Sequence, residues 1–191
     1  MRIISGIAKG KKIILPINKK TRPLKDMVRE SIFNILKHSD LLKLELEKCN
    51  ILDLFSGVGS FGLEAISRGA KKVVFFENYK PAVNLLSKNI DILSFKNKTE
   101  ICNKNIYAVN CFKDLKNKFN IVFLDPPFKE KNINLILENL SNSKLFNSET
   151  LIIIHRHKKT LDSLDKKLKI KKEKIYGSSK ILFGFFNYQE F

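Results

Sequence analysis

The sequence predicts a single α/β domain built on a largely parallel sheet, and three stretches carry that expectation. Residues 51–66 run from an apolar segment holding Asp53, through a loop with Gly57, Gly59 and Gly62, into the helical pattern Leu63, Glu64, Ala65 and Ile66. That is a strand, a glycine turn and a helix. Lys72 to Phe76 is a second apolar run, closed by Glu77, and residues 80–93 follow with apolar positions at mostly helical spacing behind Pro81, a good residue for a first turn. Ile121 to Leu124 reads as a buried strand with Asp125 at its carboxyl end, the side on which open α/β sheets bind ligands.

The remaining elements follow in chain order. Residues 2–16 alternate turn-forming and β-branched types and predict a hairpin bent at Ala8 to Gly10 and ended by Pro16,. Arg2, Lys9, Lys11 and Lys12 decorate it and Lys19, Lys20, Arg22 and Lys25 come next, a basic ribbon able to track a phosphate backbone. Asp26 is placed to cap a helix whose apolar face is Met27, Ile32, Phe33, Ile35 and Leu36,. On it Arg29 and Glu30 are adjacent and do not face one another. Arg29 therefore either meets a ligand carboxylate or pairs with an acid elsewhere. Leu41 to Lys48 is a polar connector, and Thr99 to Asn103 a short strand with Asn105 just past its end. Such an Asn either meets an adenine edge or forms a turn. Thr150 to Ile154 is a further strand, ending in His155, Arg156 and His157. The two histidines share a strand face, but no Cys or acid stands nearby at ligand spacing, so no metal is expected. Lys158 to Lys174 reads as a solvated helix and turn face, and the segments around Gly177, Ser178 and Ser179 as a terminal hairpin at the sheet edge,.

Composition sets the limits. With 191 residues and 43% hydrophobic content the chain buries one core. Lys and Arg number 36 against 19 Asp and Glu, a formal charge of +17, which points to a polyanionic partner. A compositional bias toward Lys, Asn and Ile gives the same excess without selection for binding. Cys49, Cys102 and Cys111 are odd in number and form no C-x-x-C pair, which excludes a disulfide framework or zinc ribbon and fits a reducing compartment. No signal-peptide core and no membrane-length apolar stretch is present, so a soluble cytoplasmic protein is expected.

Gly57 to Gly62 matches the G-x-G-x-x-G pattern of dinucleotide sites, and Asp53 weighs against that reading. It lies four positions before the first glycine, where a pyrophosphate would come close and be repelled. S-adenosylmethionine has no phosphate, and its ammonium is a partner a carboxylate can hold. Glu77, ending the second strand, can accept both ribose hydroxyls. In NIVFLDPPFKE, Pro126 and Pro127 fix φ and donate no N–H. Asp125 and the Pro126 carbonyl can then both accept from an exocyclic amine, while Phe128 offers a face for base stacking.

The ordered set TRPLKDMVRESIFNIL, DLFSGVGSFGLEAISRGA, a strand-end Glu77, DPPF and YGSSKILFGFF resembles the bacterial methyltransferases that modify a guanine 2-amino group in small-subunit ribosomal RNA. The similarity covers nearly the whole chain. It implies a Rossmann-like class I methyltransferase fold with a seven-stranded, mostly parallel sheet, an antiparallel C-terminal hairpin and an N-terminal β-hairpin and helix. Residues 1–45 would be a basic RNA-contacting region and residues 46–191 the catalytic core of one domain. It implies S-adenosyl-L-methionine as donor, with Asp53 and the loop of Gly57, Gly59 and Gly62 around its methionine part, and Phe55 and Ser56 also among the donor-binding residues. Glu77 would serve the ribose and Asn105 the adenine, with Asn78 also among the donor-binding residues. Asp125, Pro126, Pro127 and Phe128 would receive the target base, and Arg2, Lys9, Lys11, Arg22 and Arg29 the RNA. The expected partner is ribosomal RNA or a small-subunit particle, bound by a monomer without metal or membrane. Three positions depart from the family pattern: Val58 stands where Ser or Thr is usual, Lys11 where Arg is, and His155 where an acid is expected.

The chemistry expected is direct methyl transfer. An aromatic amine is a poor nucleophile, so Asp125 and Pro126 would align it and draw it toward tetrahedral geometry. Its proton would leave to Asp125 or water. Two other classes compete: an adenine 6-amino DNA methyltransferase, which shares a D-P-P-aromatic motif but needs a recognition region for which the chain leaves little room, and a catalytically silent RNA-binding scaffold.

Overall fold

The computed structural model describes residues 1–16, 24–164 and 166–188. Its elements are α1 (Asp26–His38), β1 (Asn50–Leu54), α2 (Ser60–Ser67), β2 (Lys72–Phe76), α3 (Lys80–Leu93), β3 (Thr99–Cys102), β4 (Ile121–Leu124), α4 (Ile133–Ser141), β5 (Leu151–His157), β6 (Leu168–Tyr176) and β7 (Ser179–Phe186), with short 3₁₀ turns at Leu46–Lys48 and Lys96–Lys98. The seven strands form one sheet in the order β3-β2-β1-β4-β5-β7-β6. The chain divides into two compact units, Met1–Lys104 and Asn105–Phe191.

In the first unit β1 pairs with β2, and β2 with β3, all parallel. The last four residues of both β1 and β2 are buried, as strands covered on both faces require. On α3, Ala82, Leu86, Asn89, Ile90 and Leu93 are buried, a single face at helical spacing, while Val83 and Leu85 sit half-buried at its margin. Phe33 of α1 stacks on Phe61 of α2 at 5.1 Å. Lys25 rather than Asp26 occupies the cap of α1, and Met27 is 60% exposed. The buried face is Val28, Arg29, Ile32, Phe33 and Leu36.

The N-terminal hairpin is reduced to a single antiparallel bridge, Arg2 to Lys12. Gly6 (φ 85°) and Gly10 (φ 83°) curl the tip into turns instead of extending it. A Cβ at Gly6 would lie 1.8 Å from the Ser67 carbonyl oxygen, so only glycine permits that approach. There Ile7 N donates to Ser67 O at 2.8 Å and Ala8 N to Ser67 Oγ at 3.0 Å, fastening the segment to α2.

In the second unit β4 and β5 are parallel, and β7 pairs antiparallel with both β5 and β6. The C-terminal hairpin turns at Gly177, φ 58°. Helix α4, which the sequence reading does not assign, buries Ile133, Ile136, Leu137 and Leu140, an i, i+3, i+4, i+7 stripe. The stretch expected as a solvated helix and turn face, Lys158 to Lys174, instead enters strand β6 at Leu168. Ile170 and Ile175 among the lysines supply the β-branched residues, and pairing with β7 outweighs the polar composition,. Among the described residues no helix is long and apolar enough to cross a membrane.

Candidate active site

In the first unit the chain leaves β1 through a tightly wound loop. Phe55 (φ 58°), Gly57 (φ 55°) and Gly59 (φ 84°) all take left-handed backbone, which costs a non-glycine residue such as Phe55 about 1–3 kcal/mol. Strand-end carboxylates hold this shape. Gly57 N donates to Glu77 Oε2 at 2.8 Å, Tyr79 N donates to Glu77 Oε1 at 2.8 Å, and Gly62 N donates to Asp53 Oδ2 at 3.0 Å. Ser56 N reaches Phe76 O at 3.1 Å. Because Gly62 is the third residue of α2, Asp53 supplies the side-chain cap that Gly59 lacks,.

The three glycines separate by what surrounds them. A Cβ on Gly62 would strike Phe75 at 2.3 Å and one on Gly59 would strike Leu86 at 2.4 Å, whereas at Gly57 nothing lies within 4 Å. Gly62 and Gly59 thus serve close helix packing, and open space for a ligand is at Gly57. Glu77 is half-buried beside it and Asn78 exposed, while Asp53 is buried, 1% exposed. Each Glu77 oxygen retains a lone pair beyond its backbone bond, so the pair can still accept from a diol.

In the second unit Asp125 follows β4. Its Oδ1 lies 2.7 Å from His155 Nδ1, and His155 Nε2 lies 2.9 Å from Ser179 Oγ. The histidine that replaces the expected acid therefore bridges Asp125 to the buried Ser179. Among the described residues Asp125 Oδ2 and the Pro126 carbonyl accept no hydrogen bond. The Pro127 carbonyl is different, taking Arg156 Nη1 at 3.0 Å and Glu130 N at 2.8 Å. Arg156, 1% exposed, also grips Glu130 O at 2.8 Å and both Asp162 oxygens at 2.9 Å. One buried guanidinium thereby fixes the backbone that follows Asp125. Phe128 lies edge-on to His155 and His157 at 5.6 and 5.3 Å. Asn105 is exposed and forms a turn, its Oδ1 accepting from Tyr107 N at 3.0 Å and its carbonyl from Ala108 N at 3.2 Å. Tyr107 bonds Glu130, and burial foremost, then that carboxylate, raises its phenol well above the ordinary range. Among the described residues no group of three His, Cys, Asp or Glu is placed to hold a metal.

Arg2, Lys9 and Lys11 are exposed on the N-terminal segment, with Arg2 Nη1 donating to Gly10 O at 2.9 Å. Arg22 lies outside the described residues, as do Lys19 and Lys20. Arg29 is a correction: it is 0% exposed, donates to Arg2 O at 2.6 Å and Asp26 at 3.1 Å, and stands 3.6 Å from Glu64. Its guanidinium is spent inside the fold and does not face RNA. Glu64, also buried, accepts from Ile4 N at 2.8 Å, Ser5 N at 3.0 Å and Arg68 Nε at 2.7 Å. Asn89 similarly joins Ile14 to the glycine loop, bonding Ile14 N and O and the Val58 carbonyl at 2.8, 3.1 and 3.2 Å. Arg156, Ser179, Glu64 and Asn89 escape sequence reasoning. The one visible signal is a charged Arg156 at the end of the apolar run LIII.

A glycine loop between β1 and α2, a strand-end acid that organises it and an Asp-Pro-Pro-Phe turn after β4, on this strand order, define a Rossmann-like class I methyltransferase. Residues 1–185 match the family described as Conserved hypothetical protein 95, and the chain belongs to that family. It is 38% identical over 146 residues to the ribosomal RNA small subunit methyltransferase D of Haemophilus influenzae, spanning 73% of this chain and 72% of that protein. The Escherichia coli K12 protein of the same name is 35% identical over 143 residues, 73% and 68% of the two chains. A solved Escherichia coli structure, yhhF, described as a candidate methyltransferase, superposes with a TM-score of 0.79 at 28% identity over 99% of each chain.

Proposed function

We propose that this protein methylates the exocyclic 2-amino group of a guanine in small-subunit ribosomal RNA, using S-adenosyl-L-methionine. The reading is supported foremost by Asp125, whose Oδ1 is anchored by His155 while Oδ2 and the Pro126 carbonyl accept no hydrogen bond among the described residues. The names of the relatives supply the RNA class.

The donor residues fit such a ligand. The diol-accepting Glu77 stands beside the open Gly57, and no phosphate-binding cation is needed there. S-adenosylmethionine supplies an electrophilic methyl group. Glu77 holds the ribose hydroxyls, and Phe128 stacks the target base. Asp125 Oδ2 and Pro126 O accept the two amine hydrogens and turn the nitrogen lone pair out of conjugation. As the nitrogen takes the methyl group the sulfur–carbon bond would break and leave a neutral thioether, and the nitrogen, now acidic, would give its proton to Asp125.

The test uses substrate RNA carrying guanine, inosine or adenine at the methylated position. Inosine lacks only the 2-amino group, so it should bind with a loss of about 1–3 kcal/mol and accept no methyl group. Adenine carries its amine on the other side of the ring and should also be inert. Methylation of the inosine RNA, or of the adenine RNA alone, would overturn the guanine assignment.

A further inference from the structure

Positive charge in the second unit concentrates around the edge strand. Residues 158–180 hold nine lysines against three acids, and Asp162 among these is committed to the buried Arg156. Paired residues of an antiparallel ladder project from one face of the sheet, so the register with β7 sorts the β6 side chains. Lys169, Lys172, Lys174 and Tyr176 stand opposite Phe185, Phe183, Ile181 and Ser179. Leu168, Ile170, Glu173 and Ile175 stand opposite Phe186, Gly184, Leu182 and Lys180. Alternation along β7 makes these sets opposite faces.

A regular strand would not sort them this way. Lys169 and Lys172 are three residues apart and would point to opposite sides. The register shift between Ile170 and Lys172 inserts one extra residue and reverses the parity. All three lysines then share a face, and Glu173 is on the other. Lys169 and Lys174 are exposed and Lys172 is half-buried.

This face also bears the second unit's candidate site. On β5, His155 and His157 pair with Ile181 and Ser179, and both histidines touch the Phe128 ring. Lys174 therefore lies level with His155, across β7, and Tyr176 level with His157. The lysines run away from that point for roughly 13 Å at about 3.3 Å per residue, a length over which a nucleic-acid strand presents several phosphates. Charge that merely discourages edge-to-edge pairing needs no common face.

We infer that Lys169, Lys172 and Lys174 form a phosphate-tracking row for the RNA that flanks the target nucleotide. This rests on the proposed RNA substrate. The test is the salt dependence of affinity for a small-subunit ribosomal RNA transcript, measured for three proteins besides the wild type. One replaces Lys169, Lys172 and Lys174 by Gln, and one replaces the same three by Arg. The third replaces Lys88, Lys96 and Lys98, exposed on the first unit, by Gln and so removes equal charge. Thermal melts check that each is folded. The first variant should lose about 2 units from the slope of log affinity against log salt, at roughly 0.7 per single-strand contact. The Arg variant should keep the wild-type slope and the third protein should change little. Equal slopes for the two Gln variants would overturn the inference. A wild-type protein with no salt-dependent RNA binding would overturn the proposed substrate itself.

Discussion

At the scale of single residues, Glu77 shapes the glycine loop and, in the proposed complex, also holds the donor, and one substitution removes both. Its oxygens accept Gly57 N and Tyr79 N, so it shapes the loop, and its remaining lone pairs face the donor's ribose in the proposed complex. Glu77→Ala should weaken donor binding by about 1.5–3 kcal/mol, the worth of charge-assisted hydrogen bonds lost from a ligand. Isothermal titration with S-adenosylmethionine reads this directly, and an unchanged Kd would remove Glu77 from the donor site. Glu77 and Asp125 were legible in the sequence because each is an acid closing an apolar run, and a strand's end is marked by where that run stops. Arg156 and Ser179 were not. Their importance comes from partners 29 and 24 residues away, which no local pattern records. Arg29 was legible only as a choice, and burial decided it in favour of the internal pair.

At the scale of elements, Glu64 joins three pieces of the first unit. From α2 it accepts two backbone N–H groups of the N-terminal segment and faces Arg29 of α1 and Arg68 at the C-cap of its own helix. Burial pulls the Arg29 guanidinium below its ordinary value while Glu64 and Asp26 oppose that shift. Removing the carboxylate would leave two N–H groups without their acceptor and the buried Arg29 with only the exposed Asp26 as counter-charge. Glu64→Ala should therefore destabilise the protein by about 3–5 kcal/mol, the usual cost of breaking a buried pair from one side. Chemical denaturation measures it, and a loss below about 1 kcal/mol would show that the cluster contributes no more than a surface pair. The motif GLEA shows the helix but not this duty. β6 shows the same limit from the other side: KIKKEKI reads as solvated polar chain until β7 is there to pair with it, and the bulge that sorts its faces has no local signature.

At the scale of the whole molecule, the excess of 36 cations over 19 acids was legible as a leaning toward polyanions, but its distribution was not. Residues 1–104 contain 20 Lys and Arg against 10 acids, and residues 105–191 contain 16 against 9. Compositional bias alone would spread attraction evenly, and equal numbers of exposed charges would then be interchangeable. Discrete binding regions would make them unequal. Replacing Arg2, Lys9, Lys11 and Arg22 together by Ala should flatten the salt slope of RNA affinity by about 0.7–0.9 per lost contact, with donor affinity untouched. Combined with the Gln substitutions at Lys169, Lys172 and Lys174, the two losses should add, because the slope counts phosphate contacts and each region would supply its own. If the arm substitutions leave the slope where it was, these charges are ordinary solvated surface. If the combined protein loses no more than the arm variant alone, only one of the two regions meets the RNA.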